Sequence, residues 1–270
     1  PVAHSFPTRR SSDLAAREPN VFDDLFFAVL GVSLSEPPVD HGPRQELQSR
    51  WAETPPEIDG ILAAGEWTSA ATVAIDATDR KRPGVASRDS DTYNYRQTGG
   101  MIPYESNHAT VYVMNAADSL YVAVDVTDDV LDFSEPGGQL WRGDSMEVRV
   151  DGNLSRERHK ERNRFGRSII VRGSGDKATD DLNLEYVDWA ASVKENQSGY
   201  VVELRFDAEG FNKDIGFDVA INDSDDPHIQ RRHAQYYWNG TRDRGYQDER
   251  EWGVVHLASE KYTADSTEPD

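Results

Sequence analysis

The sequence predicts an all-β fold: an antiparallel β-sandwich of the immunoglobulin-like or jelly-roll type, with long loops and disordered tails. Three observations carry that prediction. Apolar residues alternate with polar ones at period two in segment after segment, the signature of strands with one buried face. Turn-forming residues such as Asn115–Ser119, Asp151–Asn153 and Gln197–Gly199 separate several of these segments. No stretch carries the long 3.6-residue periodicity of an amphipathic helix, so sheets must cover one another.

The elements follow in chain order. Residues 4–14 read His-Ser-Phe-Pro-Thr-Arg-Arg-Ser-Ser-Asp-Leu, the translation of a common short-read sequencing adapter. The expectation is that residues 1–14 are a fusion scar, that the native N-terminus is missing, and that a signal peptide or an upstream domain is lost with it. Residues 15–50 are expected to be a linker or a remnant of that upstream region. Leu25–Val32 is too short for a membrane span, and Ser35–Arg44 is rich in proline and charge.

From about Trp51 the alternation begins, and residues 51–258 are expected to form the sandwich. Leu120, Val122, Val124 and Val126 alternate with Tyr121, Ala123 and Asp125. Met146, Val148 and Val150 alternate with Ser145, Glu147 and Arg149. Val202, Leu204 and Phe206, and then Phe217, Val219 and Ile221, repeat the pattern. Further strands are predicted at Thr72–Ile75, Ala109–Met114, Ser168–Val171, Asp188–Lys194 and Trp252–Leu257. Asp79–Asn107 reads as a long polar loop, and the charged run Leu154–Arg164 as a hairpin tip or loop. Residues 259–270 read as a disordered acidic tail.

Composition narrows the function. The chain of 270 residues carries 49 acidic against 29 basic side chains, a formal net charge of −20. Nucleic acid is excluded as a partner, because phosphate binding needs a basic face. No apolar run approaches the roughly 20 residues of a membrane span. With no cysteine there is no disulfide, thiolate metal site or thiol nucleophile. The seven histidines show no metal-binding spacing. No Gly-x-Ser-x-Gly elbow, phosphate-binding glycine loop or zinc helix motif is present. Asp144 and Glu147 could be paired as glycosidase carboxylates, but their odd spacing sets them on opposite faces of a strand. Haem ligation would need axial Met or His ligands in an apolar pocket, and Met114 and Met146 are expected to point into the core.

Four ordered motifs remain. Ile58-Asp59-Gly60 is followed by Gly65-Glu66-Trp67 and Ala70. Leu120-Tyr121-Val122 runs into Asp128-Asp129. Trp141-Arg142-Gly143-Asp144-Ser145-Met146-Glu147-Val148-Arg149-Val150-Asp151 forms the third. Gly216-Phe217-Asp218-Val219-Ala220-Ile221-Asn222-Asp223 leads to Tyr237-Trp238 and Trp252-Gly253. In this order, over about residues 52–258, the set resembles the family 9 carbohydrate-binding modules, β-sandwiches related to the DOMON superfamily.

That resemblance implies glycan binding without catalysis. It implies stacking of a sugar between two aromatic rings, structural calcium, and a polysaccharide or oligosaccharide partner. A glycan-degrading catalytic domain upstream, such as a xylanase, and a secreted, periplasmic or cell-surface location would fit. The first aromatic would be Trp141, six residues before Glu147, whose carboxylate would be free to accept sugar hydroxyl protons. The second would be Tyr246, where the family has Trp, with Asp243 standing where the family has Asn. An arginine from the following strand would be Arg167 or Arg172. Calcium takes several oxygen ligands, which two acidic clusters could supply: Asp125, Asp128 and Asp129, or Asn222, Asp223, Asp225 and Asp226. Trp51, Trp67, Trp189 and Trp252 are read as core aromatics. The alternative is a structural or interaction sandwich of the same fold without sugar affinity.

Overall fold

A computed structural model of the chain describes residues 44–76, 108–134, 138–156, 165–225, 234–239 and 248–259. The expectations for residues 1–43, the 79–107 loop, residues 157–164 and the tail after 259 lie outside them.

Thirteen strands are present among these residues: β1 (Glu46–Gln48), β2 (Arg50–Trp51), β3 (Ala71–Asp76), β4 (His108–Ala116), β5 (Ser119–Thr127), β6 (Ser145–Asp151), β7 (Gly166–Arg172), β8 (Ala178–Leu182), β9 (Val187–Val193), β10 (Gly199–Asp207), β11 (Asp214–Asp223), β12 (Ala234–Tyr237) and β13 (Gly253–His256). Short 3-10 turns are the only helical elements described.

One sheet runs β1-β13-β11-β6-β7-β8, with β12 also on β11. The other runs β2-β4-β5-β10-β9, with β3 also on β4. All pairings are antiparallel except β1 with β13 and β2 with β4. The nine-residue pairing of hairpin β4–β5 holds register through Val111↔Val124 and Val113↔Val122. A one-residue slip would turn every valine outward, which is why the alternation fixes the pairing.

The inward faces meet in one core. Val122, Val124, Val202 and Leu204 of one sheet pack with Met146, Val148, Phe217 and Val219 of the other, all without solvent exposure. Each such side chain contributes roughly 1.5–3 kcal/mol on burial. Met114 lies in a separate cluster with Trp67, Tyr121 and Ala123, on the outer side of its sheet. Met146, by contrast, lies in the main core between the sheets.

The N-terminal boundary differs from the linker expectation. Residues 46–51 are sandwich strands, joined to one sheet through β1 and to the other through β2. The chain changes sheets at buried Ser49, whose backbone N–H donates to His256 O at 2.9 Å and whose hydroxyl donates to Asn115. These strands are too short to show alternation, so periodicity could not reveal them.

The Ile-Asp-Gly and Gly-Glu-Trp motifs cover the outer side of the second sheet. Their anchor is Glu203 of β10, fully buried. Its carboxylate accepts the backbone N–H of Gly60 at 2.8 Å and of Asp59 at 3.1 Å, and the Trp67 indole N–H at 2.8 Å. Gly60 has φ +84°, and a Cβ there would come within 2.9 Å of the Ala191 carbonyl carbon. Only glycine fits that turn. Trp67, 5% exposed, takes the core position expected of it.

Candidate functional site

Strand β6 divides its side chains between two environments. Met146, Val148 and Val150 point into the core; Ser145, Glu147, Arg149 and Asp151 point to the outer face of the sheet. That face is polar and buried. Glu147 is 6% exposed, Arg149 1%, Asn222 0% and Gln235 1%. Asn222 and Gln235 donate to Glu147 Oε1 at 2.9 and 3.1 Å, and an Arg149 Nη donates to its Oε2. The Tyr237 hydroxyl donates to the Gln235 carbonyl, so that the amide turns its NH₂ toward Glu147. The carboxylate is therefore not free, contrary to the expectation from the sequence. Protein donors take at least three of the roughly four acceptor directions of a carboxylate.

The same network reaches Trp141. Asn222 Nδ2 lies 2.9 Å from Ser145 Oγ, which in turn lies 3.0 Å from Leu140 O and 3.2 Å from Gly143 O. Leu140–Arg142 forms a 3-10 turn, with Leu140 buried and Trp141 half-buried at the strand end. The Arg142 guanidinium stands 5.1 Å from the Trp141 ring centroid. Leu140 anchors the turn and Ser145 ties it to β6, so that Trp141 stands just before the strand that carries Glu147.

The two arginines separate. Arg172 pairs across the sheet with Ser145, so it shares the face of Glu147. It binds Asp176 Oδ2 at 3.0 Å. Arg167 pairs with Val150 and points to the inner side. Its guanidinium lies 4.5 Å from the Tyr186 ring and 5.4 Å from the Phe211 ring, and donates to Asp207 O at 3.0 Å. It closes one end of the sandwich, so the expectation of Arg167 at the sugar site is corrected by the register. Tyr246 and Asp243 lie outside the described residues.

The two acidic clusters of the sequence become one. Asp128 at the end of β5, Asp144 before β6 and Asp223 at the end of β11 are all buried, and their carboxylate oxygens lie within 4.8 Å of one another. Asp129 and Asp225 adjoin Asp128 in a second, more exposed group. Burial, and then the neighbouring carboxylates Asp225 and Asp129, push Asp128 up to about 7. Burial, then the charge of Asp128, holds Asp144 well above the usual carboxylate range. Backbone N–H groups of Asp132 and Ser224 donate to the two Asp144 oxygens. Behind them stands Tyr200, fully buried, its hydroxyl without a hydrogen-bond partner. Burial, then the charges of Asp144, Asp128 and Asp223, raises that hydroxyl well above its usual value.

Two of the expected ligands fall elsewhere, and a third is not described. Asp125 faces outward and pairs with Lys194 Nζ at 2.6 Å. Asn222 is committed to Glu147 and Ser145, and Asp226 lies outside the described residues. Asp144 was missed as a member of the cluster. Its signal was its place one residue before β6, with the inward parity of Met146.

The chain is similar in fold to the family 9 carbohydrate binding module from Caldicellulosiruptor kristjanssonii. In its complex with cellotriose the TM-score is 0.63 at 18% identity, over 84% of this chain and 99% of that one. In its complex with glucose the TM-score is again 0.63 at 18% identity, over 82% of this chain and 100% of that one. No curated protein matches the chain. The profile of the Carbohydrate family 9 binding domain-like family matches residues 86–260, more than half of the sequence. The sandwich and this match together place the chain in the Carbohydrate family 9 binding domain-like family.

Proposed function

We propose that the domain is a non-catalytic glycan-binding module that stacks a pyranose on Trp141, with Tyr246 as the second aromatic. Asp243 serves as a polar partner and Arg172 as a flanking donor, while Glu147 holds the network that ties the Trp141 turn to the sheet. Family membership supports the class of function. The single observation that carries the site is the half-buried Trp141 on a turn hydrogen-bonded through Ser145 and Asn222 to Glu147. A ring so fixed loses little conformational entropy when a sugar packs on it. The contact is worth on the order of 1–3 kcal/mol. In this reading the domain works outside the cytoplasm, as part of or beside a glycan-degrading system. Affinity electrophoresis against a panel of polysaccharides tests it. Retardation of the wild type on at least one glycan is expected, and its reduction by Trp141→Ala. Unretarded migration on every glycan, with no binding of short sugars, would leave the fold without the function.

Calcium fits the buried acids. Asp128, Asp144 and Asp223 would hold it, an all-oxygen set of the kind a hard cation takes, with the unpartnered Tyr200 hydroxyl beside them. Three buried carboxylates repel one another, and a divalent ion would offset that repulsion. Asp128 directly follows a strand of one sheet, while Asp144 directly precedes a strand of the other and Asp223 ends one. Binding would therefore tie the two sheets together at one end. Its role here is structural.

A further inference from the structure

Among the described residues three large apolar side chains stand exposed, Ile61, Val130 and Tyr186, and of these Tyr186, at 38%, is the aromatic one. An exposed ring is ordinarily free to change rotamer. This one is fixed from its backbone and from beneath. It ends the 3-10 turn Leu184–Tyr186, and its N–H donates to Asn183 O at 3.2 Å. Asn183 takes the left-handed conformation, with φ 59°, and its side-chain amide donates to Gly166 O at 2.7 Å. The Arg167 guanidinium lies against the ring, 4.5 Å from its centroid. Arg167 is itself 2% exposed and donates to Gly166 O and to Asp207 O, each at 3.0 Å. The Phe211 ring stands 5.4 Å from the same guanidinium and packs on Gly152, where a Cβ would come within 2.4 Å of it. With Arg167 against one face, Tyr186 shows water its other face and its edge.

This turn lies at the opposite end of the first sheet from Trp141. Trp141 comes before Ser145, where β6 starts, whereas Arg167 pairs with Val150 near the end of β6. The five steps from Ser145 to Val150 cover roughly 16 Å, too far for one sugar ring to touch both aromatics. The chemistry at Tyr186 also narrows the occupant. A protein partner needs about 800 Å² of complementary surface, and the exposed neighbours of this ring, Glu185 and Asp188, are charged. A pyranose has an apolar face of C–H bonds, which a single fixed ring can take up, with little side-chain entropy left to lose.

We propose that Tyr186 is a second glycan contact, separate from Trp141: its open face stacks on a pyranose, with Arg167 behind the ring. The inference rests on the glycan-binding reading and adds a site to it. Two contacts on one domain let a long glycan bind more tightly than a short one.

The test is a map of backbone amide shifts in the ¹⁵N-labelled full chain, titrated with cellotriose and with xylotriose. Saturable shifts are expected at residues 183–187 and, independently, at residues 141–145. Tyr186→Ala should weaken binding at the first set by at least about fivefold and leave the second set unchanged. Tyr186→Phe keeps the ring and should keep both. Shifts in wild type confined to 141–145 overturn this inference and leave the Trp141 reading standing. Shifts at 183–187 that persist at unchanged affinity in Tyr186→Ala overturn it as well. No shift at either set with either sugar overturns the glycan reading and this inference with it.

Discussion

Removing Glu203 should unpin the whole segment that carries the first motif. The side chain is fully buried and accepts three N–H donors, two from Asp59 and Gly60 and one from Trp67. Glu203→Ala leaves all three donors without their acceptor. Each unsatisfied buried donor costs about 1–3 kcal/mol. Relief of the carboxylate's own desolvation offsets part of this, because burial raises the Glu203 pKa while the donors pull it back. A net loss of about 3–5 kcal/mol results. For a domain of this size that lowers Tm by roughly 6–20 °C. Thermal unfolding followed by near-UV circular dichroism measures it, and tryptophan emission should shift to the red as Trp67 loses its buried partner. Glu203→Gln keeps one acceptor oxygen and should lie between. A Glu203→Ala protein within about 2 °C of wild type, with unchanged emission, would refute the assignment of Glu203 as the anchor.

Other expectations follow from the same geometry. Calcium at about 100 times its Kd should raise Tm by roughly 5–10 °C, corresponding to about 2.7 kcal/mol. Chelator should reverse the shift and Asp144→Asn should abolish it; a calcium-independent Tm in wild type would contradict the site. Gly199 has φ +132°, and a Cβ there would stand 1.9 Å from the Val126 carbonyl oxygen. Gly199→Ala should therefore cost more than about 1 kcal/mol, visible as a lowered denaturation midpoint, and a neutral result would show that the turn is misread. His256 Nδ1 lies 2.7 Å from Asp214 Oδ1 and its Nε2 3.4 Å from Glu46 Oε2. The Asp214 hydrogen bond raises its pKa above the usual 6.5, against a smaller opposing effect of burial. A raised folded-state value means the stabilisation is full below pH 6.5 and is lost as pH rises through the folded value. Because the imidazole is about a third exposed, at 31%, and its partners more so, the effect is small and screened by salt. His256→Gln should flatten the pH dependence of Tm above pH 6.5, and an identical slope in the variant would contradict the pairing.

The long strands were legible because burial on one face is written as period-two alternation. Val122, Val124 and Val126, or Phe217, Val219 and Ile221, fall in the core as that pattern requires. Elements of two to five residues, β1, β2, β8 and β12, carry too few positions to show a period, and they were missed. The outward parity of Glu147 was legible for the same reason, and so was Trp67 as a core residue. Its partner Glu203 was not, because the contact spans more than a hundred positions and nothing local marks it. Arg167 and Arg172 could not be separated without a register across the charged run, and only the pairing with Val150 and Ser145 divides them. The acidic clusters were found as two because they are far apart in sequence. The sandwich brings Asp128 and Asp223 to the same end, adds Asp144 and turns Asp125 away. Filled acceptors on Glu147 were also beyond the sequence, since the donors come from β11 and β12.

The most direct test of the account is a calorimetric titration of cellotriose and xylotriose into the full chain, with Trp141→Ala beside it. The account predicts saturable binding of at least one of these sugars by wild type. It also predicts a loss of at least about fivefold in affinity in Trp141→Ala, from the 1 kcal/mol or more that the ring contact supplies, with Tm unchanged within about 2 °C. Equal affinity in the two proteins, or no heat of binding in either, would contradict it.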